Sequence, residues 1–181
     1  MKYQLFVKIS DEDYLEFNRY AQFLTPEGKK VIRLTRVLIL MIFALTIYLF
    51  LLLEGFTLLT WITVGHLAIA LGVFQLLLKP YFRKTLGWRI QKLKKSGKKL
   101  YSPEATLEFY DDYFVEMAEG NRSERKYATI DRVSIVEGKG IYIHENPTSA
   151  YIIPYSTFSS QEEYWQFREF VKSSFPVINR Y

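Results

Sequence analysis

The sequence predicts an α+β membrane protein, in which a two-helix transmembrane hairpin precedes a C-terminal β-sandwich or open barrel capped by a final helix. Two observations lead to this fold class. Residues 37–78 form a stretch of 42 residues whose one charged side chain is Glu54. The region from residue 100 onward instead alternates short apolar segments with turn residues, as β-rich domains do. The average composition, 49% hydrophobic and 24% charged, hides this contrast.

The first predicted segment, residues 1–36, is cytoplasmic and holds a strand and a helix. Apolar and polar side chains alternate over residues 3–9, which predicts a half-buried strand. Ser10 with Asp13 forms a capping-box pattern that begins a helix. Thr25-Pro26 ends that helix and opens the helix that enters the membrane. Whether the strand pairs with the C-terminal sheet is left open.

The second segment, residues 37–78, is long enough for two membrane spans. A bilayer core of ~30 Å needs about 20 helical residues, so 42 residues are too many for one crossing. The predicted break is Glu54-Gly55, with the turn near 54–57, because a charge and a glycine suit a turn outside the hydrocarbon. The spans are then residues 37–53 and, starting at Phe56 or Leu58, a second span that ends at Leu78.

Positive charge on both flanks of the apolar stretch predicts the orientation. The first flank carries Lys29, Lys30, Arg33 and Arg36. The second flank, residues 79–99, has no acidic residue and nine basic ones: Lys79, Arg83, Lys84, Arg89, Lys92, Lys94, Lys95, Lys98 and Lys99. Basic flanks face the cytoplasm, so both termini are expected there. The nine residues are the candidate contacts with an anionic lipid surface.

The third segment, residues 79–99, is predicted to be a separate basic juxtamembrane helix. Pro80 suits the first turn of a helix and Ser96-Gly97 its end. Its apolar face consists of Phe82, Leu86, Ile90 and Leu93. Two interpretations remain open: a helix lying in the headgroup layer, or a positive-inside anchor whose apolar face packs on protein.

The fourth segment, residues 100–181, is predicted to be a cytoplasmic β-domain with a terminal helix. Six strands are expected, at residues 105–110, 113–117, 125–128, 132–136, 141–144 and 150–153, separated by turn residues. Ser160 and Glu163 cap the final helix, and Phe158 and Trp165 are expected to anchor it. A binding groove near the hairpin formed by residues 146–155 is the alternative to plain core packing there.

The polar side chains inside the predicted spans include Thr46, Thr63, His66 and Gln75. An ionisable group in a membrane is a functional candidate by default, but a neutral His66 hydrogen-bonded across the hairpin, with Thr46 or Thr63 as neighbour, is the simpler expectation. Ala68 and Gly72 form a small-xxx-small pair that suits close packing of the partner helix or of another copy.

Composition excludes several function classes. The absence of cysteine rules out a disulfide framework and most zinc sites, and two histidines leave little for other metals. No phosphate loop, dinucleotide fingerprint or nucleophile elbow occurs. His144 and Glu145 are adjacent in a strand and point to opposite faces, so they do not form an acid-base pair. We therefore predict a protein without catalytic activity, cofactor or metal.

Nucleic acid is not an expected partner despite the net charge of +5. Residues 100–181 contain 8 basic and 13 acidic side chains, so the positive charge comes from the two membrane flanks. An acidic domain repels phosphate polymers. The densest basic group in it consists of Arg122, Arg125, Lys126 and Arg132.

The chain resembles the YcxB-like family of bacterial membrane proteins. The resemblance is carried by the run Tyr-Ala-Thr-Ile-Asp-Arg-Val at 127–133, by Ala-Tyr-Ile-Ile-Pro at 150–154 with Phe158, and by the opening strand and helix at 2–20. It implies a bacterial plasma-membrane location and a pleckstrin-homology-like (PH-like) fold for the C-terminal domain. The family has no assigned activity or catalytic residues, so it implies none here.

Three functions are compatible with these features. The first is a membrane-anchored interaction module at the cytoplasmic face that binds a protein partner or another copy of itself. The second is a PH-like module that binds anionic lipid headgroups. The third is an accessory subunit of a membrane transporter or an envelope-stress complex.

Overall fold

A computed structural model describes residues 1–97, 101–147, 149–175 and 178–180 of the chain. The protein consists of two compact units. One, the folded unit, combines Met1–Ala21 with Ile90–Tyr181. The other, the helical hairpin, is Gln22–Arg89. The architecture is α+β, with four helices and two four-stranded sheets in the described residues.

The helical hairpin is built from two long apolar helices, α2 (Pro26–Glu54) and α3 (Leu58–Lys95). The backbone N–H of Gly28 donates to Thr25 Oγ1 at 3.1 Å, and Pro26 lies in the first turn, so the predicted start of this helix is confirmed. The predicted break is confirmed as well: α2 ends at Glu54, and Gly55 has a φ of 68° that favours glycine.

The helix α3 continues through Pro80, so the prediction of a separate helix over residues 79–99 is wrong. A proline removes one intrahelical hydrogen bond and is often found at the start of a helix, but helix-forming residues on both sides can carry a helix across it. The predicted end is close to correct, because α3 stops at Lys95 and a turn follows at Ser96-Gly97.

Each helix of the hairpin covers one stripe of side chains. The less exposed residues of the apolar part of α2 recur every three or four positions: Ile39, Phe43, Ile47, Phe50 and Leu51. Those of α3 do the same: Thr60, Thr63, Val64, Leu67, Leu71, Gln75 and Leu78. This is the spacing of a single helical face.

The first sheet includes the N-terminal strand, whose pairing with the C-terminal strands the sequence left open. Its order is β1 (Tyr3–Lys8), β2 (Glu104–Phe109), β3 (Tyr113–Ala118) and β4 (Asn121–Lys126), all antiparallel. The register of β1 on β2 runs from Tyr3 opposite Phe109 to Lys8 opposite Glu104. Residues on the two sides of the apolar helices therefore form one sheet.

The fourth strand differs from its prediction. It covers Asn121–Lys126, whereas the sequence predicted residues 125–128, and a short 3-10 helix at Tyr127–Thr129 takes the remaining positions. The cause is a tight turn at Glu119 and Gly120, whose φ values are 50° and 80°. Two positive φ values give the two-residue hairpin turn that matches strand twist, so β4 begins at once.

The second sheet has the order β7 (Ser149–Pro154), β6 (Gly140–Asn146), β5 (Arg132–Val136) and β8 (Ile178–Arg180). The first three strands lie at the predicted positions and are antiparallel, and β8 runs parallel to β5. β8 has three residues and was not predicted, because so short a segment carries no alternation to detect.

The two sheets and α4 (Gln161–Ser174) enclose one core. The Phe167 ring meets the Tyr3 and Phe109 rings edge-on, with centroids 5.4 and 5.0 Å apart. The Ser160 cap is confirmed by the bond from Glu163 N to Ser160 Oγ at 3.1 Å. Phe158 is buried as expected, but Trp165 is 40% exposed and does not anchor the helix.

The other face of the second sheet is covered by α1 (Asp11–Phe23). Its capping box is present, with Asp13 N donating to Ser10 Oγ at 3.2 Å and Ser10 N donating to Asp13 Oδ2 at 2.9 Å. Phe17 packs against Tyr142, and the Tyr20 hydroxyl donates to Ser134 Oγ at 2.6 Å. The second sheet is therefore covered on both faces, which explains why all of β5 is buried.

Candidate functional site

The predicted lipid-contact residues lie on the C-terminal part of α3. Six of the nine have exposed side chains that form no ion pair in the described part of the chain: Lys79, Arg83, Lys84, Arg89, Lys92 and Lys95. The Lys94 side chain, and all of Lys98 and Lys99, lie outside what the structure describes. These exposed cations are distributed around the helix, and such a set is suited to contact with phosphate groups.

The apolar face of this region is largely covered. Phe82 and Leu86 are half-buried, Ile90 is buried, and the Leu93 side chain lies outside the description. A helix lying in the headgroup layer would leave such a face free for lipid. The covered face does not fit the interpretation of a helix lying in the headgroup layer.

Of the four polar side chains named in the predicted spans, three bond to their own helices, whereas the buried Gln75 Nε2 has no hydrogen-bond partner in the described part of the chain. His66 Nδ1 donates to Ile62 O at 2.8 Å, since a carbonyl can only accept. Thr46 and Thr63 bond to the carbonyls four residues earlier in the same way. The expectation of a His66 hydrogen bond across the hairpin is therefore wrong, because the turn of helix behind it supplies a nearer acceptor.

The small pair Ala68 and Gly72 lies on the exposed side of α3. A side chain added at Gly72 would meet no other atom within 4 Å. The pair therefore does not pack against α2, which was one of the two predicted alternatives.

The basic group predicted in the folded unit does not form an open basic site. Arg125 Nε donates to Glu145 Oε1, and Arg132 is buried on β5 with Asp131 as an ion-pair partner at 3.4 Å. Arg122 and Lys126 remain exposed on the edge strand β4, where charges commonly prevent strand addition.

A cleft of about 410 Å³ lies beside the β-hairpin of residues 146–155, where a binding groove was the predicted alternative to core packing. We call it the inter-sheet cleft; Tyr14, Leu107, Glu116, Arg125 and Tyr151 line it together with further residues of α1, β2, β3 and β7. The Tyr151 hydroxyl donates to Glu145 Oε1 at 3.1 Å, so Arg125, Glu145 and Tyr151 form one hydrogen-bonded group.

Glu116 is the acidic group of this cleft. It is half-buried, and burial together with the nearby Glu145 carboxylate raises the pKa of its carboxyl. A carboxylate in such a position favours a ligand that brings a cation or a hydrogen-bond donor. The inter-sheet cleft therefore suits a positively charged or donor-rich group.

A second, wider groove of about 810 Å³ runs between α1 and the segment after β7. We call it the α1 groove. Glu12, Asp13 and Glu16 line its α1 side, and two aromatic side chains are exposed on it: Phe6, 61% exposed, and Tyr155, 37% exposed. Acidic residues beside exposed aromatic rings suit a basic, amphipathic protein segment.

Part of the α1 groove's charge is already paired. Glu16 accepts a hydrogen bond from Arg19 at 2.7 Å and forms an ion pair with Lys139 at 3.3 Å. Burial raises the pKa of Glu16, but these two cations outweigh it and leave the pKa lowered. Glu12 is exposed and remains available to a partner.

The described residues contain no group of three or more metal-binding side chains. His144 is buried on β6 between the rings of Phe17 and Tyr20, whereas Glu145 faces the inter-sheet cleft. The two adjacent residues thus lie on opposite faces of the sheet, as the strand geometry predicted.

Comparisons of the chain with family models, curated proteins and solved structures find no significant match.

Proposed function

We propose that this protein is a two-pass membrane protein whose folded unit is a non-catalytic, protein-binding module at the cytoplasmic face of a bacterial plasma membrane. The YcxB-like resemblance and a PH-like fold for the folded unit are part of this proposal. Two sheets closed by a C-terminal helix support the PH-like interpretation.

Exposure of the apolar helices supports membrane insertion. Both α2 and α3 are long and apolar enough to cross a bilayer. In the most apolar 18-residue part of α2, no residue is buried by the rest of the protein. In the corresponding part of α3, 6% of the residues are buried. A core helix of a soluble protein would be covered, so these surfaces need another apolar medium.

The pairing of β1 with β2 is the observation that carries the proposed arrangement. β1 precedes the apolar helices and β2 follows them, yet their residues are paired in register from Tyr3 to Lys8. Two strands of one sheet lie on one side of a membrane, so the chain between them crosses an even number of times. The basic flanks then assign that side to the cytoplasm.

The α1 groove supports a protein partner. Its free Glu12 and exposed Phe6 and Tyr155 suit a basic segment of another protein. The lipid-headgroup alternative is less well supported, because Arg125 and Arg132 are paired and do not form an open basic site. The accessory-subunit alternative draws on the exposed Ala68 and Gly72, which leave room for another helix.

The arrangement can be tested with single cysteines, since the natural chain has none. Phe56→Cys places a thiol in the turn, and Glu12→Cys and Glu124→Cys place one in each part of the folded unit. A membrane-impermeant maleimide should label Phe56→Cys in intact cells, and the other two only after permeabilisation. Labelling of Glu12→Cys in intact cells would disprove the orientation.

The partner is tested by photo-crosslinking in cells. A photoreactive amino acid at Tyr155 reports on the α1 groove, and one at Trp165, which is similarly exposed on α4, is the matched control. One recurrent protein should be captured at Tyr155 alone and lost when Glu12→Lys is added. Equal capture at both positions would contradict binding in the α1 groove.

A further inference from the structure

A small pocket lies within the helical hairpin, where α2 begins and α3 leaves its apolar stretch. Its volume is about 260 Å³. We call it the basic pocket; its lining consists of Phe23, Lys29, Ile32, Arg33, Arg36 and Lys79. The two helices thus bring together cations that lie more than forty positions apart in the sequence.

Helix geometry explains the convergence. Lys29, Arg33 and Arg36 stand at spacings of four and three, which places them on one face of α2. Lys79 directly follows the buried Leu78 and lines the same pocket from α3.

The charge of the basic pocket is unbalanced. Four of its six lining residues are cations and none is an acid. In the described part of the chain, none of the four forms an ion pair. Four like charges around so small a space repel one another, and an anion with several acceptor oxygens would relieve that repulsion. Two of the cations are arginines, whose planar donors fit phosphate oxygens in pairs.

The walls of the pocket are apolar and partly covered. Phe23 and Ile32 are half-buried, and the guanidinium of Arg83 lies over the Phe23 ring at 5.7 Å from its centroid. An apolar wall lowers the local dielectric and strengthens the attraction of the cations for an anion. The cations of the basic pocket are exposed like those further along α3, but they share the pocket with the apolar side chains of Phe23 and Ile32.

The position of the pocket identifies the source of the anion. The apolar stretch begins at Val37, directly after Arg36, and ends at Leu78, directly before Lys79. The pocket therefore lies at the level where the apolar surface of both helices ends. In a bilayer, that level is occupied by the lipid phosphates.

We propose that the basic pocket binds the phosphate group of an anionic membrane lipid. The inference rests on the membrane insertion proposed above. A free phosphate would offer the same acceptor oxygens, and the experiment separates the two sources.

The test uses the purified full-length protein in detergent, with lipid binding followed by native mass spectrometry. The probes are phosphatidic acid and phosphatidylglycerol, with zwitterionic phosphatidylcholine for comparison and inorganic phosphate and glycerol 3-phosphate as competitors. The pocket variant is Arg33→Gln with Lys79→Gln. The matched control, Arg89→Gln with Lys92→Gln, removes one arginine and one lysine from exposed positions outside the pocket.

The wild type should retain one anionic lipid in preference to phosphatidylcholine. The pocket variant should lose about tenfold or more in affinity, since it removes two of the four cations that would surround the phosphate. The loss of lipid affinity in the control, expressed as a logarithm, should be less than about a third of the loss in the pocket variant. The charge-conserving variant Arg33→Lys with Lys79→Arg should keep most of the binding, which excludes misfolding as the cause of the loss.

Equal losses in the pocket and control variants would overturn the proposal in favour of diffuse surface attraction. Complete displacement of the lipid by inorganic phosphate or glycerol 3-phosphate would refute the proposal that the bound anion belongs to a membrane lipid. Failure of membrane insertion gives a different result: the protein would be released from membranes by alkaline carbonate. A protein that resists carbonate yet shows no preference for anionic lipid refutes the basic pocket alone.

Discussion

The folded unit and the helical hairpin use the same apolar side chains in opposite ways. In the folded unit, Phe109, Phe114 and Phe167 are completely buried. In the hairpin, Leu53 is 84% exposed and Leu76 is 79% exposed. The first pattern is that of a protein folded in water, in which burial of apolar surface drives folding. The second pattern leaves large apolar side chains outside any core formed by the described residues, which supports the membrane insertion proposed above.

This difference teaches that apolar content does not by itself indicate a core. The folded unit hides large side chains inside two sheets and two helices, whereas the hairpin hides one stripe on each helix and displays the rest. The stability of the two units should accordingly respond to different substitutions and different surroundings.

The largest effect is expected from removing residues 1–10, which breaks the link between the chain before and after the hairpin. The deletion removes β1, including the buried Leu5 and Val7, and leaves β2 as an edge with its core side open. Losing two such side chains alone costs on the order of 4 kcal/mol or more. The cooperative thermal transition of the folded unit should disappear or move down strongly. An unchanged midpoint would show that β1 contributes nothing to the unit.

A pair of single substitutions compares the two units directly. Phe167→Ala empties the centre of the core, where the ring touches Tyr3, Phe109 and Phe158, and should destabilise the folded unit by about 3–5 kcal/mol. Leu76→Ala removes a large side chain that the rest of the protein does not cover, and should change stability in detergent by less than about 0.5 kcal/mol. Thermal unfolding of both variants measures the contrast, and similar losses in the two would abolish it.

The smallest expected effect concerns pH and is confined to the folded unit. Burial and Glu145 raise the pKa of Glu116, so the folded state holds this proton more tightly than the unfolded chain does. The associated stability is fully present below the ordinary glutamate pKa and is lost as pH rises through the raised pKa.

Glu116→Gln should therefore stabilise the protein at neutral pH and make no difference in acid. We expect a gain below about 1 kcal/mol, because the half-buried group is partly screened by solvent. Thermal midpoints measured across the acidic range provide the test, and Glu124→Gln, on the exposed neighbouring strand, is the control. A larger gain in acid than at neutral pH would contradict the assignment.

Much of the fold follows from local sequence signals. The capping residues Ser10, Thr25 and Ser160 and the break at Glu54-Gly55 each act within one turn of chain, and all four are where the sequence predicted them. Errors occurred where residues more than one turn of chain away decide. The helix α3 continues through Pro80 because helix-forming residues flank it on both sides. Trp165 is exposed although its helix packs against the core.

The candidate sites show the same division. The two basic flanks were predicted from the sequence as separate features, because only the structure of the hairpin brings Arg33 and Lys79 to one pocket. The α1 groove was missed altogether, since its Phe6 and Tyr155 come from opposite ends of the chain. The acidic first turn of α1 was a visible signal, but acidic residues there also serve the helix dipole and so indicate no site.

The pairing of β1 with β2 also sets an order of events during synthesis. The first strand leaves the ribosome early, but Lys8 meets its partner Glu104 only 96 positions later. At a synthesis rate of about 5–20 residues per second, β1 waits roughly 5–20 s for that partner. During this interval its apolar residues are open to chaperones and proteases. The folded unit therefore cannot close before both long helices have been made.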